Sequence, residues 1–307
     1  MDRQSRAYIF GLATVLLWST VASAFKLSLR HFDFVSLLLL SSFFSLAALG
    51  IILGLQKKLN LVFQVRQGEL LRSAGLGLLN PCLYYLVLFK AYDLLPAQEA
   101  QPLNYTWAIT LSLLSIPLLK QRILPRHILA LFVSYTGVLV ISTHGDPLSL
   151  RFHNPTGAAL ALGSTVIWAL YWIFNTRDSM DPVIRLFWNF VFGSIFVLAA
   201  FLVWGGNRRM GLGMEMAGPL YIGLFEMGIT FVLWLKALKL SETTAKVGNL
   251  IYLSPFLSLF FIHYFLGEEI MRATVAGLVL IMAGILLQRF PISLRWMRLW
   301  SSRNKTT

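Results

Sequence analysis

The sequence predicts an all-α integral membrane protein, with ten transmembrane helices arranged as two inverted five-helix repeats. Three observations lead there. Of 307 residues, 57% are hydrophobic and 13% charged, about half the roughly 25% charged share of a soluble domain. Mean hydropathy is +0.70, more apolar surface than a soluble interior can hide. The apolar residues also come in runs that reach the length of about 20 residues a helix needs to cross the hydrocarbon core. A soluble enzyme, a secreted disulfide scaffold and a disordered chain are thereby excluded. Ten helices take about 200 residues, which leaves no room for a sizeable soluble domain.

The spans fall at about 8–29, 34–55, 70–92, 97–118, 125–144, 156–175, 183–204, 217–239, 244–266 and 271–290. Short polar stretches separate them, among them Arg30-His31-Phe32-Asp33, Gln56-Lys57-Lys58, Lys120-Gln121-Arg122, Arg177-Asp178, Gly205-Gly206-Asn207 and Gly267-Glu268-Glu269. The first run follows Arg3 and Arg6 and ends in Val21-Ala22-Ser23-Ala24, like a cleavable signal. It is long enough to span and nine further runs follow, so it is read as span one.

Ten spans put both termini on one side, and the basic residues choose the side. With the N-terminus cytoplasmic, fifteen Lys and Arg lie inside, in the stretches at 3–6, 57–66, 120–126, 177, 239 and the tail from Arg289 to Lys305, against five outside and six within or at the ends of spans. The net charge of +13 therefore faces anionic lipid of the inner (plasma) membrane and does not indicate nucleic acid. Cys82 is the single cysteine, which excludes an intrachain disulfide or a cysteine metal cluster.

The chain repeats itself. A shift of 147 lays Tyr105 on Tyr252, Gly137 on Gly284 and Ile123 on Ile270; a shift of 150 lays Trp18 on Trp168. Residues 1–150 and 151–307 then each hold five spans, and an odd number forces the second copy to enter the membrane in the opposite sense. Inverted repeats place a site near the midplane where the halves meet.

Ionisable groups inside a span cost at least about 2.5 kcal/mol near the bilayer centre. Lys26, Lys90, Lys236 and Lys246 lie near span ends, where snorkelling accounts for them. Glu99, near the outer end of span four, is either hydrated or functional, with coupling the functional role. Glu226 sits mid-span in Gly223-Leu224-Phe225-Glu226-Met227-Gly228, and a shift of 146 sets Asn80 opposite it. It is read as a substrate-amine contact or a proton-coupling carboxylate, or else as a protonated Glu bonded between helices.

Trp18, Tyr84, Tyr85, Tyr105, Trp107, Trp168, Tyr171, Trp172, Trp234 and Tyr252 lie deeper than an interfacial belt, either lining a cavity or packing between helices. A ring-lined cavity suits flat or apolar solutes and amines. Pro102, Pro117 and Pro255 can break helices toward it. The catalytic motifs His-Glu-x-x-His, Gly-x-Ser-x-Gly and a phosphate-cradling glycine loop are missing, so neither an enzyme nor a cofactor is expected.

The ten-span repeat, with Gly267-Glu268-Glu269 before a last helix bearing Gly277 and Gly284, resembles the EamA-like drug/metabolite transporter superfamily over roughly residues 8–290. Leu17-Trp18-Ser19-Thr20, Glu99 followed by Asn104-Tyr105-Thr106-Trp107, and Ile167-Trp168-Ala169-Leu170-Tyr171 are similar to its aromatic amino acid exporter branch. The resemblance implies export of small metabolites through a central cavity, without ATP. By position it implies that Trp18, Tyr84, Tyr105, Trp107, Trp168 and Tyr252 line that cavity. Two features depart from the pattern. Lys120-Gln121-Arg122 stands where many members have Gly-Glu, and Glu226 and Asn80 replace small or apolar residues. The second departure favours a more polar or cationic solute, or proton coupling.

The expectation is an inner-membrane secondary transporter exporting amino acids or related amines. Its substrate contacts are expected at Trp18, Asn80, Tyr84, Tyr105, Trp107, Trp168, Tyr171, Glu226 and Tyr252. Its partners are a small solute and the bilayer, and a homo-oligomer is compatible with the sequence. Small organic cations or nucleobase-like solutes are the alternative cargo, and a non-transporting scaffold or receptor is the alternative class.

Overall fold

A computed structural model describes residues 2–119, 125–148, 154–175, 180–204, 213–241, 247 and 249–289. The sequence features at Lys120-Gln121-Arg122, Arg177-Asp178, Gly205-Gly206-Asn207 and Lys246, and the basic tail beyond Arg289, lie outside the described residues.

Every regular element among the described residues is helical. α1 (Arg3–Leu29) and α2 (Phe34–Leu55) are followed by the short α3 (Leu59–Val62). Next come α4 (Gln67–Gly77), a π-helical segment (Leu78–Leu83) and α5 (Tyr84–Leu94). α6 (Ala97–Tyr105) and α7 (Trp107–Leu119) abut, and α8 (Pro125–Ser142) ends the first half. The second half has α9 (Pro155–Asn175), α10 (Pro182–Trp204), α11 (Ala217–Ile222), a second π-helical segment (Gly223–Gly228) and α12 (Ile229–Leu240). A 3-10 turn (Asn249–Leu253) leads into α13 (Ser254–Leu266), and α14 (Arg272–Arg289) is last.

Six helical runs are long and apolar enough to cross a bilayer: Arg3–Leu29, Phe34–Leu55, Gln67–Leu94, Pro155–Asn175, Pro182–Trp204 and Met214–Leu238. At about 1.5 Å per residue each covers the roughly 30 Å of hydrocarbon. The expected spans four, five, nine and ten are occupied by shorter helices, and the fourth and ninth are interrupted.

The polar punctuation works as helix caps. Asp33 accepts from Val35 N and Ser36 N, both at 3.0 Å, and starts α2. Asn154 accepts from Gly157 N at 2.9 Å and starts α9. Gly267 ends α13 at φ 68°, a left-handed conformation that glycine adopts without a Cβ clash.

Helix neighbours come in matched sets. α1 lies against α12 and α13, as α9 lies against α5 and α7. α2 touches α11 and the second π segment, as α10 touches α4 and the first, while α2 faces α10 and α8 faces α14. Exchanging each helix for its counterpart about 147 residues away maps this set of neighbours onto itself.

The α8–α14 crossing is a close backbone approach. A Cβ on Gly137 would overlap the Gly277 carbonyl, and one on Gly277 would overlap Ile141 and the Gly137 carbonyl. In lipid such backbone contact replaces the hydrophobic drive that soluble helices use. A Gly137→Val variant should therefore lose about 1–3 kcal/mol and melt at a lower temperature in detergent. Gly75→Ala, which meets open space, should melt as wild type does. Equal melting temperatures for the two variants would show that glycine does not limit this crossing.

Candidate functional site

The π segments interrupt α4–α5 and α11–α12 at corresponding positions. In the first, Asn80 has φ −146° and ψ 121° and precedes Pro81 through a cis bond. The proline ring disfavours the α conformation for the residue before it, so the helix breaks there and restarts at Tyr84. The second segment carries Glu226. Thr106 separates α6 from α7, and the Asn249–Leu253 turn precedes Pro255 at the start of α13. Four helical runs are thus broken around one region of the bundle.

A cavity lies at these breaks, with about 80 Å3 open to the centres of water molecules. Trp18, Tyr84, Tyr105, Trp107, Trp168 and Glu226 line it, and all six are expected from the sequence. Tyr84 stacks on Trp168 with centroids 4.5 Å apart, and Trp18 sits 5.6 Å from Trp234 and 6.2 Å from Phe231. Tyr85 Oη donates to Glu226 Oε1 at 3.0 Å, joining the two halves of the chain. Asn104 Nδ2 donates to Ser164 Oγ at 3.0 Å and Tyr84 Oη donates to Asn104 Oδ1 at 3.4 Å.

Other expected residues fall elsewhere. Asn80 is fully buried and is not among the residues lining the cavity. Opposed positions in the repeat thus do not bring Asn80 into the wall that holds Glu226. Tyr171 lines an adjoining chamber of about 140 Å3 together with Arg185 and Asn175. The Tyr252 side chain lies outside the described residues. Glu99 is 1% exposed and pairs with His144 Nε2 at 2.7 Å, away from the cavity lining.

Gln101 and Tyr92 line the cavity and bond to each other, and the sequence reading did not select them. Helix spacing could have found Gln101, because residues 101, 104 and 105 share one face. The same spacing links 84, 88 and 92, all of which line the cavity.

The two ends of the bundle are held by different chemistry. At the end away from residue 3, the Glu268 carboxylate accepts from Ala97 N and Gln98 N at 3.0 and 3.2 Å and caps α6. Gln98 Oε1 accepts from Met271 N at 2.9 Å. Lys26 is half-buried. Its ammonium donates to the carbonyls of Tyr92 and Leu95 at 2.8 and 3.0 Å, because the last turn of α5 leaves carbonyls without helical partners. Lys90 pairs with Asp93 at 2.7 Å.

At the N-terminal end, Lys58 meets Asp181 at 2.7 Å and Arg72 Nη2 donates to Phe174 O at 3.0 Å. Partial burial pushes the Asp181 carboxyl up. The Lys58 ammonium and the backbone N–H groups of Val183 and Ile184 outweigh burial and hold it below its ordinary range. With both partners about 30% exposed, the pair contributes about 0–1 kcal/mol. The arrangement is a mainly ring-lined cavity with one carboxylate among its described lining residues, and ion pairs lie toward each end of the bundle. It offers a carboxylate and ring faces, and among the described lining residues none places a nucleophile beside a base.

The EamA-like transporter family matches residues 5–143 and again 155–290. An uncharacterized transporter of Archaeoglobus fulgidus is 25% identical over 292 residues, covering 92% of this chain and 97% of its own. The aromatic amino acid exporter YddG of Ancylobacter novellus is 26% identical over 256 residues, covering 83% of this chain and 87% of its own. A solved crystal structure shares the fold with a TM-score of 0.65 at 23% identity, covering 93% of this chain and 97% of that one.

Cys82 is buried and should resist a small thiol reagent in the folded protein. In a Cys82→Ala background, Tyr105→Cys should react, because position 105 lines the cavity. Protection at 105 as complete as that of Cys82 would mean that the rings are packing and the cavity is closed to solutes.

Proposed function

Because the chain belongs to the EamA-like transporter family, we propose that it is a secondary transporter exporting amino acids or related amines by alternating access around the central cavity. The chain would cross the membrane ten times, as two inverted repeats at 1–150 and 151–307, with both termini in the cytoplasm. The matched helix neighbours and the fifteen-to-five excess of basic residues support that arrangement.

The observation that carries the reading is Glu226: a carboxylate at a helix break, reached by Tyr85 from the other half and set in the wall of a ring-lined cavity. An ionised carboxylate in the bilayer is unfavourable by several kcal/mol unless it is paired. A solute ammonium or a proton removes that penalty, and the two compete for the same oxygens. A solute leaving as a proton enters would couple export to the proton gradient. Trp18, Tyr84 and Trp168 would stack on the body of the solute, in keeping with the name of the relative from Ancylobacter novellus. The two ends of the bundle would open in turn.

The test is counterflow in proteoliposomes with a panel of labelled amino acids and amines. At least one should show saturable exchange, and failure of every solute would remove the transporter reading. Glu226→Gln keeps the shape and loses the charge, so solute binding should weaken about 10–100-fold for the lost charged hydrogen bond of about 1.5–3 kcal/mol. Accumulation driven by a pH gradient should vanish. If Glu226→Gln retains full pH-driven accumulation, coupling belongs to another group.

A further inference from the structure

Two further chambers adjoin the central cavity toward the N-terminal end of the bundle. Trp172 lines both the central cavity and the 140 Å3 chamber. Pro182 and Leu235 line both that chamber and a third of about 290 Å3, whose wall includes Lys58, Asp181 and Lys236. The charge changes along the way: a basic mouth, then the Arg185 guanidinium, then the Glu226 carboxylate.

Arg185 is 2% exposed and sits one turn inside α10. Its Nη1 donates to Glu69 O at 2.8 Å and Ser73 Oγ at 2.7 Å, and its Nη2 to the Glu69 carboxylate. The ion pair is lopsided, since the Glu69 side chain is 40% exposed. The counter-ion lies toward water while Arg185 lines the chamber, so a second carboxylate arriving in the chamber can compete with the first. The Tyr171 hydroxyl accepts from Asn189 Nδ2 at 3.3 Å and can donate its own proton to an acceptor there. The wall is mainly apolar, and its polar side chains, Tyr171, Asn175 and Arg185, can each donate to a carboxylate; guanidinium pairs with carboxylate in a planar, two-point geometry.

We infer that Arg185 and Tyr171 form an entry subsite for the carboxylate of the solute, which makes the cargo a zwitterionic amino acid and not a simple amine. The inference rests on the transport reading above. Arg185 lies eight residues, about 12 Å at ~1.5 Å per residue, from the middle of α10, while Glu226 lines the central cavity. The two charges therefore act in turn. The carboxylate docks first at Arg185, and the ammonium then meets Glu226 once the solute has passed Trp172.

Tryptophan and tryptamine test this, since they share a ring and an amine and differ by the carboxylate. Half-saturation is measured for each by counterflow in proteoliposomes. Wild type should bind tryptophan the more tightly. Arg185→Gln should cut the preference about tenfold, the scale of one charged hydrogen bond. Glu69→Gln removes the competing carboxylate and should raise the preference about fivefold. If Arg185→Gln fails to fold, Glu69→Gln decides alone. A preference unchanged in the variants, or a wild type that favours tryptamine, overturns the subsite and leaves the transport reading standing. No exchange of either probe, with none elsewhere in the panel, removes both.

Discussion

Inside a bilayer a backbone N–H or C=O has no water to bond with, so any helix break must be enclosed by protein. The rest of this structure depends on that constraint. The described breaks at Leu78–Leu83, Thr106, Gly223–Gly228 and Asn249–Leu253 cluster around one cavity. Asn80 and Thr106, at two of them, are fully buried. The breaks therefore place the cavity, and the cavity in turn receives the side chains that irregular backbone turns inward. Tight packing elsewhere makes this possible: a Cβ on Gly193 of α10 would overlap the Pro81 ring, so the first break is backed by a helix that approaches without a side chain.

Each buried charge is met by a partner suited to its depth. Near the far end Lys26 is held by two carbonyls and Glu99 by His144. Near the N-terminal end Arg185 is held by Glu69 and Ser73. At the centre Glu226 receives one neutral hydroxyl, that of Tyr85. The outer groups are thus hydrogen-bonded within the protein, and these bonds join separate segments of the chain. The central carboxylate has the weakest internal compensation, which is the condition under which a solute cation or a proton has most to contribute.

Much of the site was legible in the sequence, for a physical reason. A polar or aromatic residue at mid-depth needs a special environment, so depth alone singles out Trp18, Tyr105, Trp107, Trp168 and Glu226. Depth does not say which way a residue faces. Asn80 and Glu226 correspond in the repeat, yet Asn80 is absent from the cavity wall, while Tyr85, five residues further on, supplies the bond to Glu226. A π turn rotates the following residues relative to a regular helix, so repeat arithmetic misjudges facing where the helix is irregular. Gln101 was missed for the opposite reason, since a glutamine near a span end looks hydrated until its helical face is traced.

By itself the sequence determined the class of the protein, the apolar runs that form its helices, the short polar stretches between them and the internal repeat. These follow from composition, spacing and charge, which act locally along the chain. Only the tertiary structure decided which breaks coincide, that Tyr85 reaches Glu226, that Lys26 bonds to two carbonyls, and that Arg185 lines a chamber beside the central cavity. These are contacts between residues 66 to 141 positions apart, or walls built from several helices. Their geometry depends on how helices rotate and cross, which hydrophobic periodicity constrains poorly when both lipid and neighbouring helices are apolar.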